Sequence, residues 1–504
     1  VNFNCLTKMV YDIFIIGGGI NGCGVARDAS GRGLKVCLAE MNDLASGTSS
    51  ASTKLIHGGL RYLKYFDFKL VKEALKERDV LLKIMPHICW PMRFLIPLQS
   101  FKINNFFIRC GLLIYDYIAG YSILPKTETT NLQNSSFNAF LKSKFTKAYI
   151  YSDCWVEDSR LVVLNAIDAK KRGANILTRT RVINFEKKGK LWNVITKNNK
   201  GEIHEFLCKC IVNAAGPWVD NINNYTRSKN TFSTRLVKGS HLVVNKLFDH
   251  NYAFFLTGND GRIIFVIPFQ DEYSLIGTTE VVHQNMDQKP MCSDEEKDYL
   301  LNFINNYFDF NLKTDNIISS FSGVRPLYSK NNQKSKNMSS ITRDYVLNLE
   351  FIENLPFLTI YGGKLTTFRK LSENVLSRLK DFFPEMGSEW TMKNSLPGGD
   401  FLIHEKKELV LKLQKKYPFL DQICSNRFIN YYGTLSFEIL KNVKSKKDLG
   451  KNFGHSLTEI EVDWLLKNEF AKSVDDILWR RTKLGLKFND SEKNKLENWL
   501  KYKI

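Results

Sequence analysis

Nowhere in the 504 residues does an uninterrupted apolar run reach the ~18–20 residues that a membrane-spanning helix needs. The nearest approach, FFIRCGLLIYDYIA at 106–119, is too short and carries Arg109 and Asp116. The N-terminal VNFNCLTKMVYD lacks the apolar h-region and small-residue cleavage site of a secretory signal, and Met9 stands as an alternative natural start. Ten scattered cysteines show no framework spacing, which implies reduced thiols and a cytosolic face. No internal repeat or long low-complexity tract is present, and acidic residues are too few to balance the basic ones. The 72 Lys and Arg against 52 Asp and Glu leave a formal charge of +20.

What is present excludes more. A hydrophobic content of 43% with 25% charged residues is that of a globular chain, so disordered, collagen-like, coiled-coil and small disulfide-scaffold classes are excluded. At ~150 residues per domain the length predicts two to four domains with a large core. The excess charge invites three partners: nucleic acid, an anionic membrane surface or an anionic small substrate. Codon bias in a chain rich in Lys, Asn, Ile and Phe accounts for it equally well. A basic FAD-containing nucleic-acid-binding protein is disfavoured, because no RRM, KH, zinc or helix-turn-helix pattern and no aromatic-basic interleaving is found.

The chain opens as a βαβ unit: an apolar strand (13–16), a glycine-rich turn, a helix (20–31) and a second strand (35–40). Residues 69–85 have the spacing of an amphipathic helix. Alternating strands are predicted over 174–216 and an antiparallel sheet over 236–280, with a polar loop at 330–340. After Leu396-Pro397-Gly398-Gly399 the texture becomes helical and Lys-rich, so a boundary is expected at 386–400.

Gly17, Gly19 and Gly22 occupy the three positions of a GxGxxG between strand and helix. The first permits the tight turn, the second the approach of a pyrophosphate, and the third close helix–strand packing. Glu40 ends the next strand, where a carboxylate can accept hydrogen bonds from a ribose diol. Dinucleotide binding is expected, with NAD or FAD undecided by this fingerprint.

Further motifs follow in order: TSSASTKLIHGGLRYL (48–63), YSDCWVEDSRL (151–161), NAAGPW (213–218), KGSH (238–241), SGVRPL (322–327), ITRDY (341–345), YGGKLTTFRK (361–370), LPGG (396–399), LGKNFGH (449–455) and DDILWRRTKLGL (476–487). Together they resemble the FAD-dependent glycerol-3-phosphate dehydrogenase family, of the glycine/D-amino-acid oxidase superfamily, across nearly the whole chain. Departures are Glu280 where Asp is usual, Phe368 where Tyr is common, and Thr458 in place of an aromatic. The resemblance implies oxidation of sn-glycerol 3-phosphate to dihydroxyacetone phosphate on FAD, with electrons passing to membrane quinone. An oxidase using O2 is the alternative. The fold expected is α/β: a Rossmann-like FAD-binding domain (1–100, 150–230, 340–386) interleaved with a mostly antiparallel β substrate domain (101–149, 231–339), then an all-α C-terminal domain (387–504).

By the same resemblance, Arg61, Arg325 and Arg343, with Tyr62, surround the substrate phosphate, a role that suits the planar guanidinium fork. Two histidines stand in motifs as candidates for the base that takes the hydroxyl proton, His57 and His241. Lys364 is expected to face reduced flavin or a substrate oxygen. Ser49, Ser50, Gly58 and Gly59 are expected along pyrophosphate and flavin, Val182 near the adenine, and Gly216, Gly363, Leu365 and Thr366 against the cofactor. No metal is expected: Cys208 and Cys210 lack a second pair, and His283, His404 and His455 lack a ligand pattern. A quinone-linked enzyme without a spanning helix must lie on the bilayer as a peripheral protein of the cytoplasmic face. Residues 102–121, flanked by Lys102, Arg109 and Lys126, read first as a buried core helix and second as such a lipid-facing segment. A homodimer is compatible with these readings.

Overall fold

The computed structural model describes residues 9–99, 104–118, 120–226, 232–258, 260–284, 286–330 and 345–503. The N-terminal eight residues, Lys102, most of the polar loop and Arg343 lie outside them. β1 (Val10–Ile16) lies between two parallel neighbours, β2 (Val36–Ala39) and the strand Ile203–Asn213. Asn175–Leu177 and Leu355–Tyr361 extend this parallel layer on its two sides. Antiparallel strands Val346–Ile352, Thr180–Lys188 and Leu191–Asn198 complete eight. From Ile13 to Ile16 β1 is apolar and buried, because both faces are covered there. Ile13 and Ile15 enter a core with helix α1 (Ile20–Gly31), while Phe14 and Ile16 enter another with Val182, Phe185 and Trp192.

A second sheet of ten strands stands beside the first. Its spine is the antiparallel pairing of Phe232–Asn245 with Ile317–Lys330, which sets His241 opposite Phe321 and Val237 opposite Arg325. Cys89–Gln99 pairs antiparallel with Phe145–Val156 in the same sheet, so the expected divisions at residues 100 and 150 do not follow the sheets. The helix expected at 69–85 spans Phe68–Ile84, started by Asp67, whose carboxylate accepts the Leu70 N–H.

The C-terminal region is helical around its own core, with one short ribbon pairing Asn452–Gly454 to Leu457–Thr458. It docks through buried ion pairs. Arg481 spans both carboxylate oxygens of Asp43 at 2.8 and 2.9 Å, Arg160 pairs with Glu469, and Lys483 reaches Asp158 at 3.6 Å.

Candidate active site

One cavity of about 460 Å³ has walls from both sheets. It begins at the turn between β1 and α1, lined by Gly17, Gly19, Glu40 and Ser49. A Cβ on Gly17 would stand 2.6 Å from the Ala214 carbonyl oxygen, and its φ of 111° suits only glycine. Glu40 accepts the Gly18 N–H at 2.7 Å and the Asn42 N–H at 2.8 Å, which fixes its carboxylate at the rim. Burial pushes its carboxyl up from the ordinary value, against those two N–H bonds. Ser49 accepts the first N–H of α1, from Ile20, at 3.0 Å. Gly22 does not line the cavity. It lets α1 lie on the turn, since a Cβ there would be 1.9 Å from the Gly17 oxygen.

Across the cavity the loop 362–366 folds onto α1. Asn21 donates to the Gly362 carbonyl at 3.0 Å, and its own side-chain oxygen is buried without a protein partner on the cavity wall. Val182, Gly216, Gly363, Leu365 and Thr366 line the same space. The Thr366 hydroxyl bridges the backbone N–H and carbonyl of His57, tying this loop to the strand Leu55–Ile56. A glycine cradle open to a phosphate, a fixed carboxylate and an orphaned buried amide oxygen together fit a dinucleotide such as FAD. Two residues expected along the cofactor do not line this cavity. Gly58 is packed under Leu75 and donates its N–H to the Tyr115 hydroxyl, and the Ser50 carbonyl accepts from the Lys54 ammonium at 3.1 Å.

The end of the cavity toward the second sheet gathers His57, Gly59, Arg61, Tyr62, His241, Arg325 and Lys364. Gly59 must be glycine there, with φ 75° and the Tyr62 ring 2.3 Å from where a Cβ would be. Lys364 lies over that ring at 4.0 Å. The His241 ring stacks on Phe321 and shares a 3.0 Å hydrogen bond with the Thr53 hydroxyl through Nε2. Burial, then the nearby Lys54 and Arg325 charges, lowers His241 from the ordinary histidine value to about 3, so the imidazole is neutral at physiological pH. Arg61 and Arg325 converge on Glu280, at 3.6 and 3.8 Å.

Sequence reasoning missed Thr53, Lys54 and Asn21 as parts of the site. It met Glu280 only as a departure from a motif. Among the described residues no group of three or more His, Cys, Asp or Glu could hold a metal ion.

Residues 12–369 match the FAD dependent oxidoreductase family, and residues 390–501 match the C-terminal domain of alpha-glycerophosphate oxidase. The chain is 43% identical to a glycerol-3-phosphate dehydrogenase of Pseudomonas aeruginosa over 97% of this chain and 95% of that one. It is 41% identical to the aerobic glycerol-3-phosphate dehydrogenase of Escherichia coli over 97% of each. It is also 43% identical to a D-erythritol 1-phosphate dehydrogenase of Brucella abortus over 97% of each. Among solved structures, the glycerol-3-phosphate dehydrogenase of Bacillus halodurans, complexed with FAD, superposes with a TM-score of 0.76 at 26% identity, covering 99% of this chain and 95% of that one. The chain belongs to the FAD dependent oxidoreductases. Within that class it is an enzyme of the FAD-dependent glycerol-3-phosphate dehydrogenase family, and FAD is its cofactor.

Proposed function

We propose that the enzyme oxidises sn-glycerol 3-phosphate to dihydroxyacetone phosphate and delivers the electrons to membrane quinone. The observation that carries the substrate reading is the meeting of Arg61, Arg325, Tyr62 and Lys364 with His241 at one end of the cofactor cavity. The arginines bind the phosphate by charge-assisted hydrogen bonds, and Lys364, held over Tyr62, faces a substrate oxygen. Bound FAD supplies the hydride acceptor. His241, neutral and steadied by Thr53 and Phe321, takes the C2 hydroxyl proton, and the dianionic phosphate beside Arg325 offsets the charges that oppose its protonation. His57, whose backbone is pinned by Thr366, lines the same cavity and is the alternative base.

Anaerobic titration tests this reading. Stoichiometric loss of the oxidised-flavin absorbance with sn-glycerol 3-phosphate, and none with glycerol, is the expected result. Arg325→Met is expected to reduce kcat/KM roughly 10–150-fold, the worth of one charge-assisted hydrogen bond. D-erythritol 1-phosphate belongs in the same titration, because a relative named for that substrate is as similar as the glycerol-3-phosphate enzymes. Preferential bleaching by the four-carbon compound would move the assignment to it.

The quinone reading draws on a surface. Among the described residues no helix is long and apolar enough to cross a membrane. The helix Asn104–Tyr117, expected first as a core element, exposes Phe106, Phe107, Leu113, Ile114 and Tyr117. Tyr65, Phe66 and Phe68 are exposed on the neighbouring segment, and Lys126 lies over Tyr117 at 4.0 Å. Aromatics with flanking cations suit an anionic lipid interface. Arg109, expected to face lipid, turns instead onto the Tyr149 ring. The double variant Phe106→Ser, Phe107→Ser is expected to lose most of its co-sedimentation with anionic liposomes and most of its quinone reductase activity. Flavin reduction by substrate is expected to be unchanged. Undiminished co-sedimentation would remove this face from consideration.

A further inference from the structure

Glu280 occupies an unusual position for a carboxylate. It is directed between the two guanidiniums assigned to a phosphate, and all three side chains line the same cavity. Its backbone is anchored through Thr279. That residue's hydroxyl donates to buried Glu296 at 2.7 Å and accepts the Ser240 N–H at 2.9 Å, while its carbonyl accepts from Arg325 at 3.4 Å. Gly239 leaves the room Arg325 needs, since a Cβ there would be 2.9 Å from its guanidinium. The ion pairs themselves are loose. At 3.6 and 3.8 Å both exceed the 2.7–2.9 Å of a charge-assisted hydrogen bond. The three side chains are 14 to 33% exposed, so they face the cavity and do not form a sealed bridge. A phosphate oxygen at hydrogen-bond distance from either guanidinium gains more than the carboxylate does.

We propose that Glu280 is a displaceable counter-ion of the phosphate site, offsetting part of the charge of Arg61 and Arg325 until a phosphate monoester takes its position. This rests on the reading of those arginines as the phosphate pair. Two consequences follow from charge alone. A ligand offering only phosphate must outcompete a tethered carboxylate, so inorganic phosphate binds weakly, whereas a polyol phosphate adds contacts of its own. The product, carrying the same phosphate, leaves as the carboxylate returns, which favours its release.

The test uses the FAD-loaded enzyme with inorganic phosphate as the probe. Affinity is read from the concentration dependence of the thermal unfolding midpoint and from competitive inhibition of substrate oxidation. Two like charges ~5 Å apart at an effective dielectric of ~20 repel by more than the equivalent of tenfold in affinity. Glu280→Gln is therefore expected to bind phosphate about tenfold more tightly, and to be inhibited more strongly by dihydroxyacetone phosphate. Glu280→Asp, which keeps the charge on a shorter arm, is expected to fall between the two. Unchanged or weaker phosphate binding by Glu280→Gln, with Arg325→Met weakened, would overturn the counter-ion and leave the substrate reading standing. Equal phosphate binding by wild type and Arg325→Met would overturn both.

Discussion

Gly22→Ala is expected to yield protein that retains no FAD and shows no substrate-dependent flavin reduction. The added methyl would touch an Ile15 methyl at 3.4 Å and stand 1.9 Å from the Gly17 carbonyl oxygen, a distance that no packed structure tolerates. Relief by withdrawing α1 is blocked from its other side. Gly24 already lies so close to Ser372 and Phe368 that even a Cβ there would be 2.7–2.8 Å from them. The helix is held between the turn and the helix Phe368–Arg378, and overpacking in such a position costs about 1–3 kcal/mol or more. Its N-terminus, where an anion would bind, moves with it. Gly19→Ala separates this packing role from ligand approach. Its methyl meets only the Ser49 hydroxyl, at 3.2 Å, a side chain able to turn aside. That variant is expected to fold and melt like wild type without cofactor, yet to bind FAD at least about tenfold more weakly, because its methyl stands in the cavity. The flavin-to-protein absorbance ratio after gel filtration checks both. A Gly22→Ala protein of wild-type yellow content would mean that α1 does not present its N-terminus to the cofactor.

The nucleotide end of the cavity was legible because its determinants are local. Gly17, Gly19, Gly22 and Glu40 lie within one βαβ unit; Gly22 answers to Gly17 five residues before it, and Gly17 to Ala214 at the end of the adjoining strand. The substrate end is assembled differently. Thr53 meets His241 across 188 positions. His241 meets Phe321, and Arg325 meets Glu280, only through the register of the long antiparallel pair Phe232–Asn245 with Ile317–Lys330 and the strand Tyr273–Gly277 beside it. A single sequence carries no signal for that register, so the arginines and histidines were reached through motif resemblance, and Thr53 had no signal. The exposed helix Asn104–Tyr117 shows the complementary failure. Apolar spacing marks one face of a helix but does not say whether protein or lipid covers it. The C-terminal region was legible as helices, yet its charged contacts with the rest of the chain depend on side chains hundreds of residues apart.

One of those contacts carries the second large effect. Asp158→Asn is expected to lower unfolding free energy by about 3–5 kcal/mol, the cost of leaving buried charge without its partner. Fully buried Asp158 holds the Lys54 ammonium at 2.7 Å, the Ser52 hydroxyl at 2.7 Å and, from the C-terminal region, Lys483 at 3.6 Å. Burial pushes the Asp158 carboxyl up, but Lys54 and Lys483 outweigh it, so it titrates below the ordinary value of 3.8. The same crowding of burial and Lys54 lowers Lys483 to about 8. Since the folded carboxyl is depressed relative to the unfolded one, its stabilisation is complete above pH 3.8 and fades only as pH falls through the folded value. The stability gap between wild type and variant, followed by denaturant unfolding, is therefore expected to be widest near pH ~5, to narrow in acid, and to narrow again as pH rises, because Lys483 without Asp158 loses its proton more readily. Catalysis is affected through the same atoms. Ser52 and Lys54 flank Thr53, the partner of His241, and Asp158 partly offsets the charge with which Lys54 disfavours a proton on that ring. A lower kcat with little change in KM is expected, because Arg61 and Arg325, the proposed phosphate pair, are untouched. Adding Lys54→Met should restore part of the stability by removing one orphaned charge. Wild-type stability in Asp158→Asn would show that water or Glu157 already neutralises the two lysines, and would dissolve the link between the C-terminal region and the histidine.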